Sequence, residues 1–398
     1  MENELMEVLN IFKLAYIKRD PKMVDSFMEE LFDKDEDIII IGTGASEWCT
    51  GYEEAKDIFL GDFEYWGDLR INAEEASIVP LGNTAVIYTT GTVKYSFSSN
   101  KGTYANYLAN IKKYFDEVSV NSKKPDKVKL TEINWTLCHL LSNWEGKERS
   151  YLWDLRVSFV LVKKASRWII KQMQFSLPVV GHLPDVRIEN TGYAIENFNA
   201  EEKKMKEYSV KNSLLYKEEI LNLLRGFNNE YLKVNNEVDG LVSKYFTSND
   251  PLIINTDKTI YNTQEEIKSL IEKHRVYYDE IIFDYENCLI NSNEKVVWIA
   301  THGTMKKVVS EEGAFENTVN LIKNTFTSDF NDKDKLFKIR RRIAETLKES
   351  ARGQEYIWPF RLEAVLIKEN DNWVFKYLQF SLPFDWFLEG KTEAATSI

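Results

Sequence analysis

The spacing of apolar residues predicts one order of helices and strands that occurs twice along the chain. In each copy an opening set of apolar side chains shares one helical face: Leu5, Val8, Leu9, Phe12 and Tyr16, then Ile220, Leu223, Leu224, Phe227 and Tyr231. A short β-rich segment, a helix and a long pair of strands follow, with the strand pairs at residues 70–79 with 84–97 and 281–290 with 296–308. Helices followed by a curved antiparallel sheet indicate an α+β fold.

The repeat can also be read directly from the residues. The first half ends in Trp168-Ile-Ile-Lys-Gln-Met-Gln-Phe-Ser-Leu-Pro178, and the second ends in Trp373-Val-Phe-Lys-Tyr-Leu-Gln-Phe-Ser-Leu-Pro383. Both closing strands therefore finish in Gln-Phe-Ser-Leu-Pro. Further upstream, Thr90-Gly-Thr92 matches His302-Gly-Thr304 in the same way. Matches at this density indicate gene duplication and fusion.

These patterns predict the domain organisation. We expect a first unit at 1–189, a partly helical linker at 190–212, a second and more divergent unit at 213–390, and a tail at 391–398. A polar, helix-prone insertion interrupts each predicted sheet, at about 104–146 and 313–353.

Charge and composition exclude several classes of protein. The 398 residues include 51 Lys and Arg against 63 Asp and Glu, a net charge of −12, which disfavours nucleic-acid and anionic-membrane partners. Three separated cysteines do not predict a disulfide framework. The acidic N-terminus lacks the basic region of a secretory signal, and no apolar run is long enough to span a membrane. We therefore expect a cytoplasmic protein.

Motifs for cofactors, metals and nucleophiles are incomplete. Gly42-Thr-Gly44 follows a predicted strand, but Glu47 occupies the third glycine position of a dinucleotide loop, so a tight turn is favoured. The four histidines form neither H-x-H nor H-E-x-x-H, and no G-x-S-x-G occurs. The sequence predicts no metal site, no cofactor and no nucleophilic serine.

Three segments of the first copy carry a family resemblance. Ile41-Gly-Thr-Gly-Ala-Ser-Glu-Trp48, Gly51-Tyr-Glu-Glu54 and Asp62-Phe-Glu-Tyr-Trp-Gly-Asp68 resemble the SnoaL-like branch of the nuclear transport factor 2-like superfamily. The resemblance covers nearly all of 1–180, whereas the second copy matches by duplication and layout. It implies a cone of three helices in a strongly bent antiparallel sheet, with a pocket at the open end. Members commonly dimerise sheet on sheet, so the two halves could pack together through their sheets.

The superfamily includes isomerases, cyclases, dehydratases, epoxide hydrolases, ligand binders and assembly modules, so the fold leaves the function open. Its proton-transfer enzymes need a partly desolvated carboxylate as base. The candidates are Asp62 in or after the third helix, Asp257 at the end of a first strand, and His302, where the first copy has Thr90. Turn or solvated roles are the alternatives for both aspartates, and the sequence assembles no complete acid–base pair.

Aromatic and amide side chains are candidates for ligand binding. Strict alternation along the first closing strand places Trp168, Ile170, Gln172 and Gln174 on one face, and the equivalent face of the second carries Trp373, Phe375, Tyr377 and Gln379. The glutamines either point into the cone or cross an interface between the sheets. The ligand-binding candidates, for which ordinary core packing is the alternative, are Trp48, Trp66, Gln172, Gln174, Tyr261, Tyr377 and Gln379.

Two functions stay open at this point. One is a small-molecule-binding or assembly protein, an intramolecular pseudo-dimer that takes an apolar or aromatic ligand. The other is a proton-transfer enzyme of isomerase, cyclase or dehydratase type, active in one cone. Divergence between the copies, such as Gly44 against Asp257, favours the second function, and further oligomerisation is left open.

Overall fold

The computed structural model describes residues 1–97, 108–143, 149–180, 183–189, 192–211, 216–233, 237–257 and 259–384. It confirms the α+β class and the two units that the repeat predicts. The expected tail at 391–398, the ends of the expected linker and parts of the first insertion lie outside the described residues.

The first half contains four helices and seven strands. The helices are α1 (Glu2–Lys18), α2 (Val24–Leu31), α3 (Tyr52–Tyr65) and α4 (Asp126–Asn143). The strands are β1 (Ile39–Ile41), β2 (Trp48–Thr50), β3 (Asp68–Ile71), β4 (Ser77–Leu81), β5 (Thr84–Phe97), β6 (Arg149–Lys164) and β7 (Arg167–Ser176). We call these elements unit one. Helix α5 (Tyr193–Lys211) follows between the halves.

The second half repeats this order. Its helices are α6 (Lys217–Glu230), α7 (Val238–Tyr245), α8 (Gln264–Tyr277), α9 (Glu311–Phe326) and α10 (Asp332–Ala351). Its strands are β8 (Leu252–Ile254), β9 (Ile260–Tyr261), β10 (Glu280–Phe283), β11 (Leu289–Asn293), β12 (Val296–Val308), β13 (Glu355–Glu369) and β14 (Asn372–Ser381). We call these elements unit two.

Each unit has one seven-stranded sheet with the same strand order. The order is β2-β1-β7-β6-β5-β3 in unit one and β9-β8-β14-β13-β12-β10 in unit two, with β4 and β11 paired to β5 and β12. The sheets are mixed rather than purely antiparallel as expected, because the short strands β1 and β8 run parallel to the closing strands β7 and β14. The segment expected as one strand at 70–79 is two strands, because β3 and β4 pair with different stretches of β5.

Strict alternation along the closing strands is a wrong prediction, since each strand contains a β-bulge. In unit one Ile170 pairs with Leu161 and Gln172 pairs with Val160, so Lys171 is an extra residue. In unit two Phe375 and Tyr377 pair with adjacent residues of β13 in the same manner. The extra residue exchanges the two faces of the strand.

The bulge separates apolar side chains from amides. On the helix-facing side lie Trp168, Ile170, Met173 and Phe175 in unit one, and Trp373, Phe375, Leu378 and Phe380 in unit two. Gln172, Gln174, Tyr377 and Gln379 point the other way, toward the opposite unit. Each closing strand thus serves the core of its unit with one face and the junction of the units with the other.

The two sheets face each other across an apolar and polar interface. Its apolar part combines side chains of both units: Val86, Tyr88, Val160, Val162, Leu252, Ile254, Val296, Trp298, Val365 and Tyr377. In its polar part Gln172 donates to Glu363, and Gln174 donates to Ser381 with Nε2 and Oγ 2.5 Å apart. Reciprocal contacts of this kind are typical of a two-fold dimer interface.

The shared Gln-Phe-Ser-Leu-Pro phrase precedes a crossing of the chain. The amide of Val179, directly after the first copy of the phrase, donates to the carbonyl of Thr256 at 3.0 Å. The amide of Phe384, directly after the second, donates to the carbonyl of Thr43 at 2.9 Å. Each closing strand therefore leads into the other unit, beside that unit's first strand.

Within the described residues, the search for membrane-spanning segments finds no helix with enough length and apolar character.

Candidate functional site

The candidate site of unit one is a tyrosine–aspartate pair between its first and third helices. The hydroxyl of Tyr16, near the end of α1, donates to Oδ2 of Asp62 on α3 at 2.6 Å. Tyr16 is 1% exposed because its ring continues the apolar face of α1 into the core. The rings of Phe59, Phe63 and Phe175 lie within 6.4 Å of the Tyr16 ring, measured between centroids.

The surroundings tune both members of the pair. Burial raises the pKa of Asp62 to about 7, against the opposing effects of the Tyr16 hydrogen bond and the charge of Arg19. The nearby negative charge of Glu47 raises this pKa further. Burial also raises the pKa of Tyr16, so the phenol keeps its proton and remains a donor. A carboxylate with a pKa near neutrality can both take and return a proton.

The edge of this site carries groups from α1, β2 and the end of α3. The guanidinium of Arg19 donates to the carbonyl of Trp66. The Trp66 ring meets Phe175 edge to face, with centroids 5.9 Å apart. Burial raises the pKa of Cys49 to about 12, so this neighbour stays a neutral thiol. The structure therefore places the candidates Asp62 and Trp66 in one region of unit one.

The Gly-Thr-Gly turn beside this region closes around Glu47. The amide of Gly44 donates to Oε2 of Glu47 at 2.6 Å, and that of Gly42 donates to the Glu47 carbonyl at 2.8 Å. A Cβ added at Gly42 would lie 2.3 Å from Oε2 of Glu47. The glycines make room for a folded-back side chain, which is a local reason for this sequence after β1.

Unit two carries a tyrosine and a histidine at the positions of this pair. Tyr231 on α6 and His274 on α8 correspond to Tyr16 and Asp62, and the Tyr231 hydroxyl lies 2.9 Å from Nδ1 of His274. Nε2 of His274 lies 3.2 Å from Oδ1 of Asn255, so the proton is assigned to Nε2. Burial lowers the pKa of His274 to about 4, and the ring is neutral at physiological pH.

A cavity of about 610 Å³ adjoins His274. Its wall contains apolar and polar side chains of unit two together with the segment that crosses from unit one: Val179, Pro184, Asn255, Thr256, Asp257, Ser269, Glu272, Lys273, His274, Val276, Tyr277, Tyr278, Trp358 and Leu382. Oδ1 of Asp257 accepts the amide of Thr259 at 2.8 Å, which is a turn contact. Asp257 thus belongs to the wall of this cavity, whereas Tyr261 is buried in the core of unit two.

His302 lies between the units rather than in either concave face. Its Nε2 is 3.3 Å from Oδ2 of Asp284, and its Nδ1 is 3.6 Å from Oε2 of Glu201 on α5. Its ring stacks on Phe198 with centroids 4.3 Å apart. Burial alone would lower the pKa of His302, but the flanking carboxylates raise it above its ordinary value.

The remaining ligand-binding candidates lie at the junction of the halves. Trp48 is buried against α5 and strands of both units, in a cluster with Ile39, Ile41, Met205, Tyr208, Leu289 and Ala300. Gln379 donates to Gln174 and to Ser176, each at 3.2 Å, and accepts from Tyr377 at 2.7 Å. These amides cross the interface, which was one of the two alternatives for them.

Sequence reasoning missed Tyr16, Glu47 and His274 as members of candidate sites. A signal existed for two of them, since Tyr16 and Tyr231 close matching apolar faces and α3 and α8 align Asp62 with His274. Among the described residues, no three or more His, Cys, Asp or Glu side chains are grouped to hold a metal ion.

Comparisons with known proteins bear on the family. A model of the SnoaL-like domain family matches residues 6–111. Among curated proteins no relative matches the chain.

Several solved structures resemble about half of the chain. A nuclear transport factor 2-like superfamily protein from Salmonella enterica serovar Typhimurium LT2 is 16% identical, with 48% of this chain and 96% of that chain covered and a TM-score of 0.28. A nuclear transport factor 2-like protein of unknown function from Shewanella oneidensis MR-1 is 12% identical, with 44% and 97% covered and a TM-score of 0.23.

Identities and scores this low carry no argument about function. The family match in unit one and the repeated order of elements in unit two decide the family. The chain is a tandem of SnoaL-like units of the nuclear transport factor 2-like superfamily.

Proposed function

We propose that unit one catalyses proton transfer on a small, partly apolar substrate, with Asp62 as the base. The observation that carries this proposal is the 2.6 Å hydrogen bond from Tyr16 to Asp62 among aromatic rings. Burial raises the pKa of Asp62 to about 7, so both protonation states are populated near neutral pH. That is the property a general base needs if it must also return the proton.

The pair suggests a division of labour between its two residues. Tyr16 holds Oδ2 of Asp62, which leaves Oδ1 to take a proton from a carbon next to a substrate carbonyl. Returning that proton to another carbon gives isomerisation, and loss of a neighbouring hydroxyl gives dehydration. The surrounding apolar rings favour a substrate with an apolar ring or chain.

Hydrogen exchange at carbon tests this proposal without knowledge of the natural substrate. A panel of cyclic and aromatic ketones is incubated with the full chain in D₂O, and NMR follows loss of the α-hydrogen signals. We expect enzyme-dependent exchange that falls by about 10²- to 10⁴-fold in Asp62→Asn. Exchange that is equal in the wild type and Asp62→Asn, or absent across the panel, would contradict the proposal.

Asp68 provides a matched control for this experiment. It lies a few residues beyond α3, and its carboxylate pairs with Arg70 at 2.9 Å on the surface. Asp68→Asn makes the same chemical change outside the Tyr16–Asp62 pair. We expect it to leave the exchange rate unchanged.

The cavity of unit two supports a second function, the binding of a small, partly apolar molecule. Neutral His274 and the side chain of Asn255 provide polar groups, and Tyr278 and Trp358 provide rings. Native mass spectrometry of the purified chain tests this function. We expect a retained small molecule that is lost in Ser269→Trp, which narrows the cavity from α8. Equal retention by the folded variant would show that the molecule binds elsewhere.

We also propose the domain boundaries predicted from the repeat, with units at 1–189 and 213–390 joined by a linker that contains α5. Reciprocal contacts between the sheets support an intramolecular dimer. A cytoplasmic location fits three free cysteines, of which Cys138 and Cys288 are buried.

A further inference from the structure

The loop that follows β1 in unit one is held by a residue of unit two. Nη1 of Arg361, on β13, donates to the carbonyl of Gly42 at 2.7 Å. Nη2 of the same side chain donates to the carbonyl of Gly44 at 2.6 Å. Arg361 is 2% exposed, so this grip on the loop is made in a desolvated setting where such bonds are strong.

Helix α5 holds the same loop from a second direction. Oε1 of Glu201 accepts the amide of Ser46 at 2.7 Å and the Arg361 guanidinium at 3.0 Å. Lys204, one turn further along α5, donates to the carbonyl of Trp48. The loop is therefore fixed by charged side chains that lie outside unit one.

Gly44 connects this grip to the proposed base. Its carbonyl accepts from Arg361, while its amide donates to the carboxylate of Glu47 at 2.6 Å. The groups that face Asp62 are Tyr16 and Arg19 from α1, Glu47 from the loop, and the Cys49 thiol from β2. After burial, Glu47 is the neighbour that raises the pKa of Asp62. Displacement of the loop would thus change the charge and the solvent around the base.

The opposite contact exists in the other direction. Arg156 on β6 corresponds to Arg361, and its Nη1 donates to the carbonyls of Asn255 and Asp257 in the equivalent loop of unit two. Its Nε donates to Ser176 at 3.1 Å. Each unit thus supplies one buried arginine to the first-strand loop of the other, which gives a matched pair of residues for an experiment.

We propose that Arg361 is a positioning residue for the site of unit one: from unit two, it fixes the loop that holds Glu47 near Asp62. The inference rests on the proposed function, since it concerns the same base. It also implies that the proton-transfer site is complete only when the two halves are joined in one folded chain.

The titration of Asp62 in the full chain tests this inference. Aspartate labelled with ¹³C at the carboxyl reports the midpoint by NMR, and Asp62→Asn assigns the signal. We expect Arg361→Met to lower the midpoint by about one pH unit or more, because the released loop removes a negative neighbour and admits water. Loss of the arginine charge alone would raise the midpoint, so the direction separates positioning from simple electrostatics. Arg361→Lys should lie between.

Arg156→Met is the matched control, because it removes the corresponding side chain from the loop of unit two. It should leave the Asp62 midpoint unchanged and shift the ring signals of His274, whose partner Asn255 lies in that loop. A folded Arg361→Met protein with an unchanged or raised Asp62 midpoint would overturn the inference. Equal shifts from both arginine variants would do the same.

Removal of Arg361 leaves Glu201 buried without its partner, so the variant could fail to fold. Glu47→Gln then tests the same connection, since its amide oxygen still accepts from Gly44 while the charge is gone. We expect a lowered Asp62 midpoint, and an unchanged one would overturn the inference. The titration needs no substrate, so a failed ketone exchange with a shifted midpoint would refute the proposed function and leave the positioning intact.

Discussion

The hydroxyl of Tyr16 and the carboxylate of Asp62 form a 2.6 Å hydrogen bond between α1 and α3, 46 residues apart in sequence. The same two helix positions in unit two carry Tyr231 and His274, joined at 2.9 Å. Duplication has therefore kept the tyrosine and exchanged an acid of raised pKa for a base of lowered pKa. The two concave faces differ in their proton chemistry while their scaffold is the same.

Replacement of Tyr16 by phenylalanine should raise the Asp62 midpoint above about 7. The hydroxyl stabilises the charged carboxylate, and its loss leaves burial and Glu47 less opposed. Carboxyl-labelled NMR measures the change. Tyr231→Phe, the same substitution in unit two, should leave this midpoint unchanged. A midpoint that stays near 7 in a folded Tyr16→Phe protein would show that the hydrogen bond has little effect on the acid.

Local patterns in the sequence predicted the repeated helices and strands, because a period of 3.6 or 2 is recorded by neighbouring residues. The bulges at Lys171 and Lys376 escaped prediction, since nothing in the alternation of the closing strands indicates an extra residue. Their stabilising contacts are distant in sequence. Lys171 pairs with Asp35 and Asp37, and Lys376 donates to carbonyls of Asn249 and Asp250.

The candidate site was only partly predictable for the same reason. Asp62 was a candidate from its family resemblance, but its partner lies on a helix that is distant in sequence. Arg156 and Arg361 aligned in the repeat, yet their role depends on how the two sheets face each other. Contacts of this kind follow from the packing of whole units, which periodicity does not encode.

Replacement of Glu363 by glutamine should stabilise the protein above neutral pH. Glu363 is 0% exposed at the sheet interface, and burial raises its pKa from 4.5 to about 7. The native state thus binds a proton more tightly than the unfolded state, so wild-type stability falls as pH rises from 4.5 to about 7. Glu363→Gln should remove that fall, with a gain of about 1–3 kcal/mol at pH 8.

Urea unfolding at pH 4.5 and pH 8 measures this effect. The variant can keep both contacts of the carboxylate, since a glutamine oxygen accepts from Gln172 and its amide donates to Ser158. Glu355→Gln, on the same strand with 62% side-chain exposure, is the control and should show no such gain. A destabilised Glu363→Gln protein at pH 8 would mean that the native carboxylate is better solvated than its burial indicates.

Replacement of His302 by asparagine should cost stability mainly in mildly acidic solution. The pKa of His302 is raised in the folded state by Asp284 and Glu201, so its stabilising charge is fully present below about 6.5 and is lost as pH rises through the folded pKa. We expect a loss of about 1–2 kcal/mol at pH 6 and less at pH 9.

His274→Asn supplies a control of opposite sign. Burial lowers the pKa of His274 to about 4, so the wild-type histidine destabilises the native state as pH falls from 6.5 toward 4. This variant should therefore lose less stability at pH 4.5 than at pH 8. Urea unfolding of both variants across this range gives the comparison, and parallel pH profiles would contradict both assignments.

Replacement of Gly91 or Gly303 by alanine should destabilise the protein by about 1–3 kcal/mol, because each glycine lies where two strands approach closely. A Cβ at Gly91 would lie 2.2 Å from the carbonyl oxygen of Arg70, and one at Gly303 would lie 2.1 Å from that of Ile282. This crowding explains why both copies keep glycine between Thr90 and Thr92 and between His302 and Thr304. Gly61→Ala on α3, where a Cβ meets nothing within 4 Å, should instead stabilise by about 0.5–1 kcal/mol. Urea unfolding ranks the three variants, and a neutral Gly91→Ala would show that β3 can move away from β5 at no cost.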